Sequence, residues 1–205
     1  EDALARTAGD HLARFLADSL GVAVGNSGKP IRLRVDAGLG ESPETHLLRV
    51  GAGGIEVIGA GPEGVLRGVF RLEARMRERG GAFLATGEER RAPLFRHRIH
   101  RSCFSPFYVE ELTGYDGPPL DARWYSPGMA YPGWAEEDAG PDMFYHDHFL
   151  MRLAEHGFNG IWVRGALSLF AKVKPFPEFG TDSDRILGRL NGLCERAARC
   201  GLKLF

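Results

Sequence analysis

Apolar residues recur at spacings of three and four through the first twenty positions: Leu4, Ala8, Leu12, Phe15, Leu16 and Leu20. That period puts them on one face of an amphipathic helix, and Gly21 stands where such a helix stops. The period then changes to two. Ile31, Leu33 and Val35 alternate with polar residues in Ile31 to Asp36, as a half-buried strand requires. His46 to Val50 and Gly54 to Ile58 form two further strands, and the link Gly51-Ala52-Gly53-Gly54 predicts a hairpin between them. Val65, Val69, Leu72 and Met76 restore the helical spacing, with Pro62 suited to the first turn and Gly80-Gly81 to the end. Helix, strand, hairpin, helix is the order of a helix layer on a sheet, so an α+β domain is expected over residues 1–88. Phe83 to Arg91 is polar and charged and reads as a linker.

The second half carries a different rhythm, expected over residues 93–205. The stretch Pro93 to Tyr108 reads as its first strand, with an odd composition: Arg96, His97, Arg98 and His100 crowd around Ile99. In a strand, Arg96, Arg98 and His100 share one face, opposite His97, Ile99 and Arg101. A long stretch rich in Gly, Pro, aromatic and acidic residues follows, up to Pro141, and its aromatic content predicts an ordered cover over a site. Phe144 to His156 reads as a helix, Ile161 to Val163 as a short buried strand ending at Arg164, Asp184 to Arg199 as a second helix, and Leu202 to Phe205 as a third strand. Long loops after strands, with short turns before them at Gly157–Asn159 and Cys200–Gly201, are the asymmetry of a β/α barrel whose active face lies at the strand C-termini. Three strands cannot close a barrel. The expected architecture is therefore an α+β accessory domain followed by an incomplete (β/α)8 TIM barrel, a piece of a longer protein.

Composition narrows the partners more than the fold. Hydrophobic residues make up 43% of the 205 and charged residues 26%, with a formal net charge of -1. Long-range charge thus favours no nucleic-acid or membrane partner, and no apolar run approaches the length of a membrane span. Cys194 and Cys200 sit six apart on a helix and face different directions, while Cys103 is alone, so neither a disulfide nor a zinc site is indicated. No cofactor is expected. Gly59-Ala60-Gly61 before a helix has the outline of a phosphate-binding turn but lacks the full spacing and the acidic residue that follows it.

Two segments together carry a resemblance. The run GIEVIGAGPEGVLRGVFRLEARM resembles the end of the helix-and-sheet domain that precedes the barrel in family 20 glycoside hydrolases, the β-N-acetylhexosaminidases, and in α-glucuronidases. PLFRHR is similar to the opening of the first barrel strand in family 20, which places that family's substrate-binding arginine on Arg98, and HFLMRLAEHGFNGIWVRG resembles its first helix and second strand. The resemblance implies glycosidic bond hydrolysis with a carbohydrate substrate, an N-acetylhexosaminide or a related glycoside. It also implies an Asp-Glu pair after a fourth strand, beyond Phe205, so that this chain alone would be inactive. Departures are equally definite. Ile99 and then His100-Arg101-Ser102 stand where the family has Gly and an Asp- and Arg-bearing segment, and VRGALSL replaces its His- and Asp-rich strand end. A different sugar, or a non-catalytic carbohydrate-binding or scaffold protein of the same architecture, would account for them.

The residues expected to hold substrate are Arg98, His100, Arg101, Arg164, Trp124 and Tyr125. Arg offers a rigid fork of donors for sugar hydroxyls or a carboxylate, and aromatic rings stack on sugar faces. Each has a structural alternative. Arg98 and His100 can pair with Glu110, Glu111 or Asp116, Arg164 can sit in a buried ion pair, and the aromatic residues can pack their own loop. His146-Asp147-His148 at a helix start points in different directions, with no third ligand placed, and Asp147 suits the helix N-terminus. Glu110, Glu111, Asp121 and Glu178 lie on loops without a defined partner and receive no catalytic role. Localisation and oligomeric state are not specified by these patterns.

Overall fold

The computed structural model describes residues 2–25, 28–101, 145, 147–162, 171–177, 179–181 and 183–205. It divides into two compact units, Glu1–Arg96 and His97–Phe205.

In the first unit, α1 (Ala3–Leu20) begins at Asp2, whose carboxylate accepts the backbone N–H groups of Leu4 and Ala5. It ends at Gly21, where a left-handed backbone lets the Gly21 and Val22 N–H groups return to the Ala17 and Leu16 carbonyls. The predicted stripe of Leu4, Ala8, Leu12, Phe15 and Leu16 is buried, and it packs against α2 (Pro62–Arg79). Beneath the helices lie β1 (Ile31–Val35), β2 (His46–Gly51), β3 (Gly54–Gly59) and β4 (Gly87–Arg91), in the spatial order β1-β3-β2-β4. The β1–β3 pair is parallel and the other two pairs are antiparallel. Leu48 and Val57 are register partners with no exposed surface, and they point at α2. The approach there is close: a Cβ at Gly68 would stand 2.4 Å from Val57 Cγ1.

The linker reading of Phe83 to Arg91 is corrected by β4, which pairs with β2 along Gly87–Arg91. This strand is polar at every position because its partners are charged. Glu88 meets Arg49, Glu89 takes the Arg71 guanidinium at 3.0 Å, and Arg90 donates to the Leu39 carbonyl. An edge strand held by ion pairs to a neighbouring strand and to the helix layer has no hydrophobic period to detect.

In the second unit, β5 (Ile99–Arg101), β6 (Gly160–Trp162) and β7 (Lys203–Leu204) form a parallel sheet in sequential order. Helices α3 (Asp147–Glu155) and α4 (Ser183–Arg199) connect them and pack on each other. Arg196 fastens α4 to the start of α3 by donating to the Tyr145 carbonyl and to Asp147 Oδ1. The first strand begins at Ile99, later than the stretch from Pro93 had predicted, and residues 102–108 of that stretch lie outside the described residues. The second strand is described over Gly160–Trp162, and Val163 of the expected strand lies outside the described residues; Ile161 is buried, whereas Trp162 is 47% exposed.

Candidate functional site at the ends of the parallel strands

Where each strand of the second unit starts and stops is set by its turns. Gly157 and Gly201 adopt left-handed backbone at the two helix-to-strand turns, which lets the chain reverse within two or three residues. Asn159 then ties all three strands together at their starting ends. Its N–H donates to the Arg98 carbonyl, its Oδ1 accepts the Arg98 N–H at 2.8 Å, and its carbonyl accepts the Lys203 N–H. The sequence pattern places Asn159 only in the turn before the second strand.

The two faces of this sheet differ. His100, Ile161 and Leu204 are register partners, and His100 lies edge-on to Phe149 of α3 and to Phe158, so this is the face the helices cover. Ile161 there has no exposed surface. The opposite register carries Ile99, Gly160 and Lys203 at one level and Arg101 with Trp162 at the next, nearer the strand ends. Phe205 lies over Gly160, where an added Cβ would come within 2.5 Å of its ring, and His97 meets the Phe205 ring edge-on.

Against this frame the predicted residues separate. Arg98 precedes β5, at the end of the sheet where strands begin, and its Nε donates to the Gly157 carbonyl at 2.6 Å. His100 faces the helix layer, and burial lowers its pKa from the ordinary histidine value. Arg101 is the last residue of β5, in register with Trp162. Arg164, Trp124 and Tyr125 lie outside the described residues, as do His146, Glu110, Glu111, Asp116, Asp121 and Glu178. Asp147 is engaged by Arg196, as a helix-start carboxylate with a structural partner. Trp162, at the end of the central strand on the face away from the helices, was not singled out, because IWV reads as an apolar run.

The Gly59–Gly61 turn in the first unit is occupied by its own chain. The Ala60 N–H donates to the Thr45 carbonyl, and those of Gly61 and Gly64 donate to the Pro43 carbonyl. A Cβ at Gly64 would stand 2.4 Å from the Thr45 oxygen, so the glycines admit a neighbouring segment of backbone, and the amides a phosphate would need are already used.

No family model matches this sequence, and no curated protein matches it. Solved structures do. A GH138 enzyme targeting pectin rhamnogalacturonan II matches over 98% of this chain at a TM-score of 0.63 and 15% identity. The Flavobacterium johnsoniae chitobiase of family GH20 matches over 99% at 0.59 and 16%. A family GH115 4-O-methyl-α-glucuronidase matches over 98% at 0.56 and 16%. The chain spans 29%, 29% and 27% of those three enzymes respectively. At such identities the likeness is one of fold: this chain has the mixed α/β fold of a part of glycoside hydrolases, among them the family 20 hexosaminidases that its sequence resembles.

Proposed function

We propose that the chain is an accessory α+β domain, Glu1–Arg96 with β4 included, followed by the first strands of a glycoside hydrolase's catalytic β/α barrel, His97–Phe205. The observation that carries this reading is the order of parts. A four-stranded sheet under two helices precedes parallel strands laid down sequentially with helices between them, and enzymes of three glycosidase families match nearly the whole of it. In barrel enzymes the chemistry sits at the strand C-termini. The described strand residues nearest those C-termini are Arg101, Trp162 and Leu204.

In this reading Arg101, Arg164, Trp124 and Tyr125 meet the sugar, while Arg98 and His100 support the strand from its start and from its helix-facing side. The substrate is an N-acetylhexosaminide or a related glycoside. The sequence resemblance favours the former. The departures at Ile99 to Ser102 and at VRGALSL favour a second reading, a carbohydrate-binding protein without turnover. Assaying the complete protein on aryl N-acetylglucosaminides, glucuronides and rhamnosides, beside calorimetric titration with the corresponding sugars, separates the two. Hydrolysis of one of these is expected. Binding without turnover would leave the second reading, and neither binding nor turnover would overturn both.

A further inference from the structure

We propose that the segment Pro43–Thr45 is an acid-released strap over the start of α2, and that His46 is its latch. The strap lies wholly in the first unit, so it is independent of the carbohydrate reading above.

Backbone and side chain both fasten the strap to α2. The Pro43 carbonyl accepts the Gly61 and Gly64 N–H groups at 2.9 Å, and the Thr45 carbonyl accepts the Ala60 N–H at 2.8 Å. Between those two carbonyls, Glu44 Oε2 takes the Arg67 Nε at 2.9 Å in a pair whose side chains are almost enclosed. His46 follows the strap directly and opens β2. It is 9% exposed and lies against the helix, where a Cβ at Gly68 would stand 3.7 Å from its Cδ2. Its Nδ1 is 3.2 Å from the Glu44 carbonyl, a contact that a neutral ring makes by donating its single proton there. The ring thus holds the strap from the strand side while Arg67 holds it from the helix side.

A second proton has to go to Nε2, which is buried and has no hydrogen-bond partner among the described residues. The charged groups around the ring come from three elements: Glu44 of the strap, Arg67 of α2, and Glu89 and Arg91 of β4. Arginines already hold both carboxylates, Glu44 through Arg67 and Glu89 through Arg71 and Arg91. Protonation therefore leaves a buried donor unpaired and sets a cation near Arg67 and Arg91. Turning the ring out to water relieves both, and it breaks the contact with the Glu44 carbonyl that keeps the strap flat. The latched ring, whose pKa burial lowers, takes a proton less readily than a released one. The strap is thus fully held above about pH 6.5 and loosens as pH falls toward that lowered value.

The test follows backbone amide exchange in the complete protein at about pH 8 and about pH 5, corrected for the intrinsic pH dependence of exchange, beside an NMR titration of the His46 ring. Protection of the Ala60, Gly61 and Gly64 amides is expected to fall about threefold or more in acid, with a midpoint that tracks the ring's protonation. Amides of α1 and β3 are expected to keep their protection. His46→Gln retains a donor toward the Glu44 carbonyl but cannot take a second proton, and His46→Leu is equally unable to titrate. In both variants the three amides are expected to exchange alike at the two pH values. Unchanged protection of these amides in acid would overturn the latch, as would an acid loss that persists in either variant. A release midpoint that differs from the ring's own overturns it in the unsubstituted protein alone, whether or not the variants fold. Loss spread evenly over α1 and β3 overturns it too, because that is unfolding of the whole unit rather than release of a strap.

Discussion

The two sheets of this chain are built on different economies of contact. The first unit has four strands of five or six residues, a local hairpin and two eighteen-residue helices over one face. The described strands of the second are two or three residues long and all parallel, with a described helix between each successive pair. In the first, register follows from the hairpin and from long runs of paired side chains. In the second, few ladder positions exist to fix it, and turn residues take over that task. Among the described residues, sheet pairing in the first unit is therefore spread over many register positions, whereas in the second it is concentrated on a few.

Equal cavities in the two units would sharpen this contrast most. Leu48 on β2 and Leu150 on α3 are both fully buried. Truncation of either to alanine costs about 2–5 kcal/mol, a large share of the roughly 5–15 kcal/mol of a typical domain. Leu150→Ala is expected to abolish slow amide exchange across β5, β6 and α3. Leu48→Ala is expected to lower protection in β2 and β3 but leave a cooperative core. Hydrogen exchange read unit by unit decides the matter, and a milder loss for Leu150→Ala than for Leu48→Ala would break the comparison.

The same contrast explains what the sequence could reveal. The long amphipathic periods of α1, α2 and the β2–β3 hairpin were legible because each element buries one face along its whole length. Strand β4 was not, since Glu88, Glu89, Arg90 and Arg91 are held by ion pairs and a carbonyl, which leave no apolar alternation. In the second unit the helices and the glycine turns were readable, and the alternation of Ile99 against His100 was correct. Which side meets the helices was not in the pattern, because His100 is polar and lies against Phe149 and Phe158, while Trp162 is apolar and exposed. Hydropathy alone inverts that assignment.

A smaller effect tests whether turn residues carry the second sheet. Asn159→Ala removes the acceptor of the Arg98 N–H, leaving a part-buried donor without that bond at a cost of about 1–3 kcal/mol. The matching change in the first unit is Asp2→Ala, which removes the cap of α1 and costs about 1 kcal/mol. Denaturant unfolding of the two variants should rank Asn159→Ala as the more destabilising. Equal losses would mean that the parallel sheet does not depend on its staple.

The finest probe is pH, because among the described residues each unit buries one histidine whose pKa is lowered. His46 stands at the start of β2, nearly inaccessible, with Nδ1 3.2 Å from the Glu44 carbonyl and with Arg91, Glu89 and Arg67 around it. Burial is the largest cause of its lowered pKa, and Arg91 and Arg67 add to it, while the Glu44 carbonyl and Glu89 oppose it. His100 lies between two phenylalanine rings, with burial alone lowering its pKa. For both, the folded state binds a proton less readily than the unfolded chain, whose histidine titrates near 6.5. Each therefore contributes stability that is complete above about pH 6.5 and is lost as pH falls toward its lowered folded value. His46→Gln and His100→Leu should each flatten the pH dependence of unfolding in its own unit below about pH 6.5, with little change at pH 8 beyond the packing cost of the new side chain. A unit whose acid sensitivity survives its substitution owes that sensitivity to other groups. In the first unit the described candidate is Glu89, whose carboxyl, against the opposing effect of burial, Arg71 and Arg91 hold below the ordinary value.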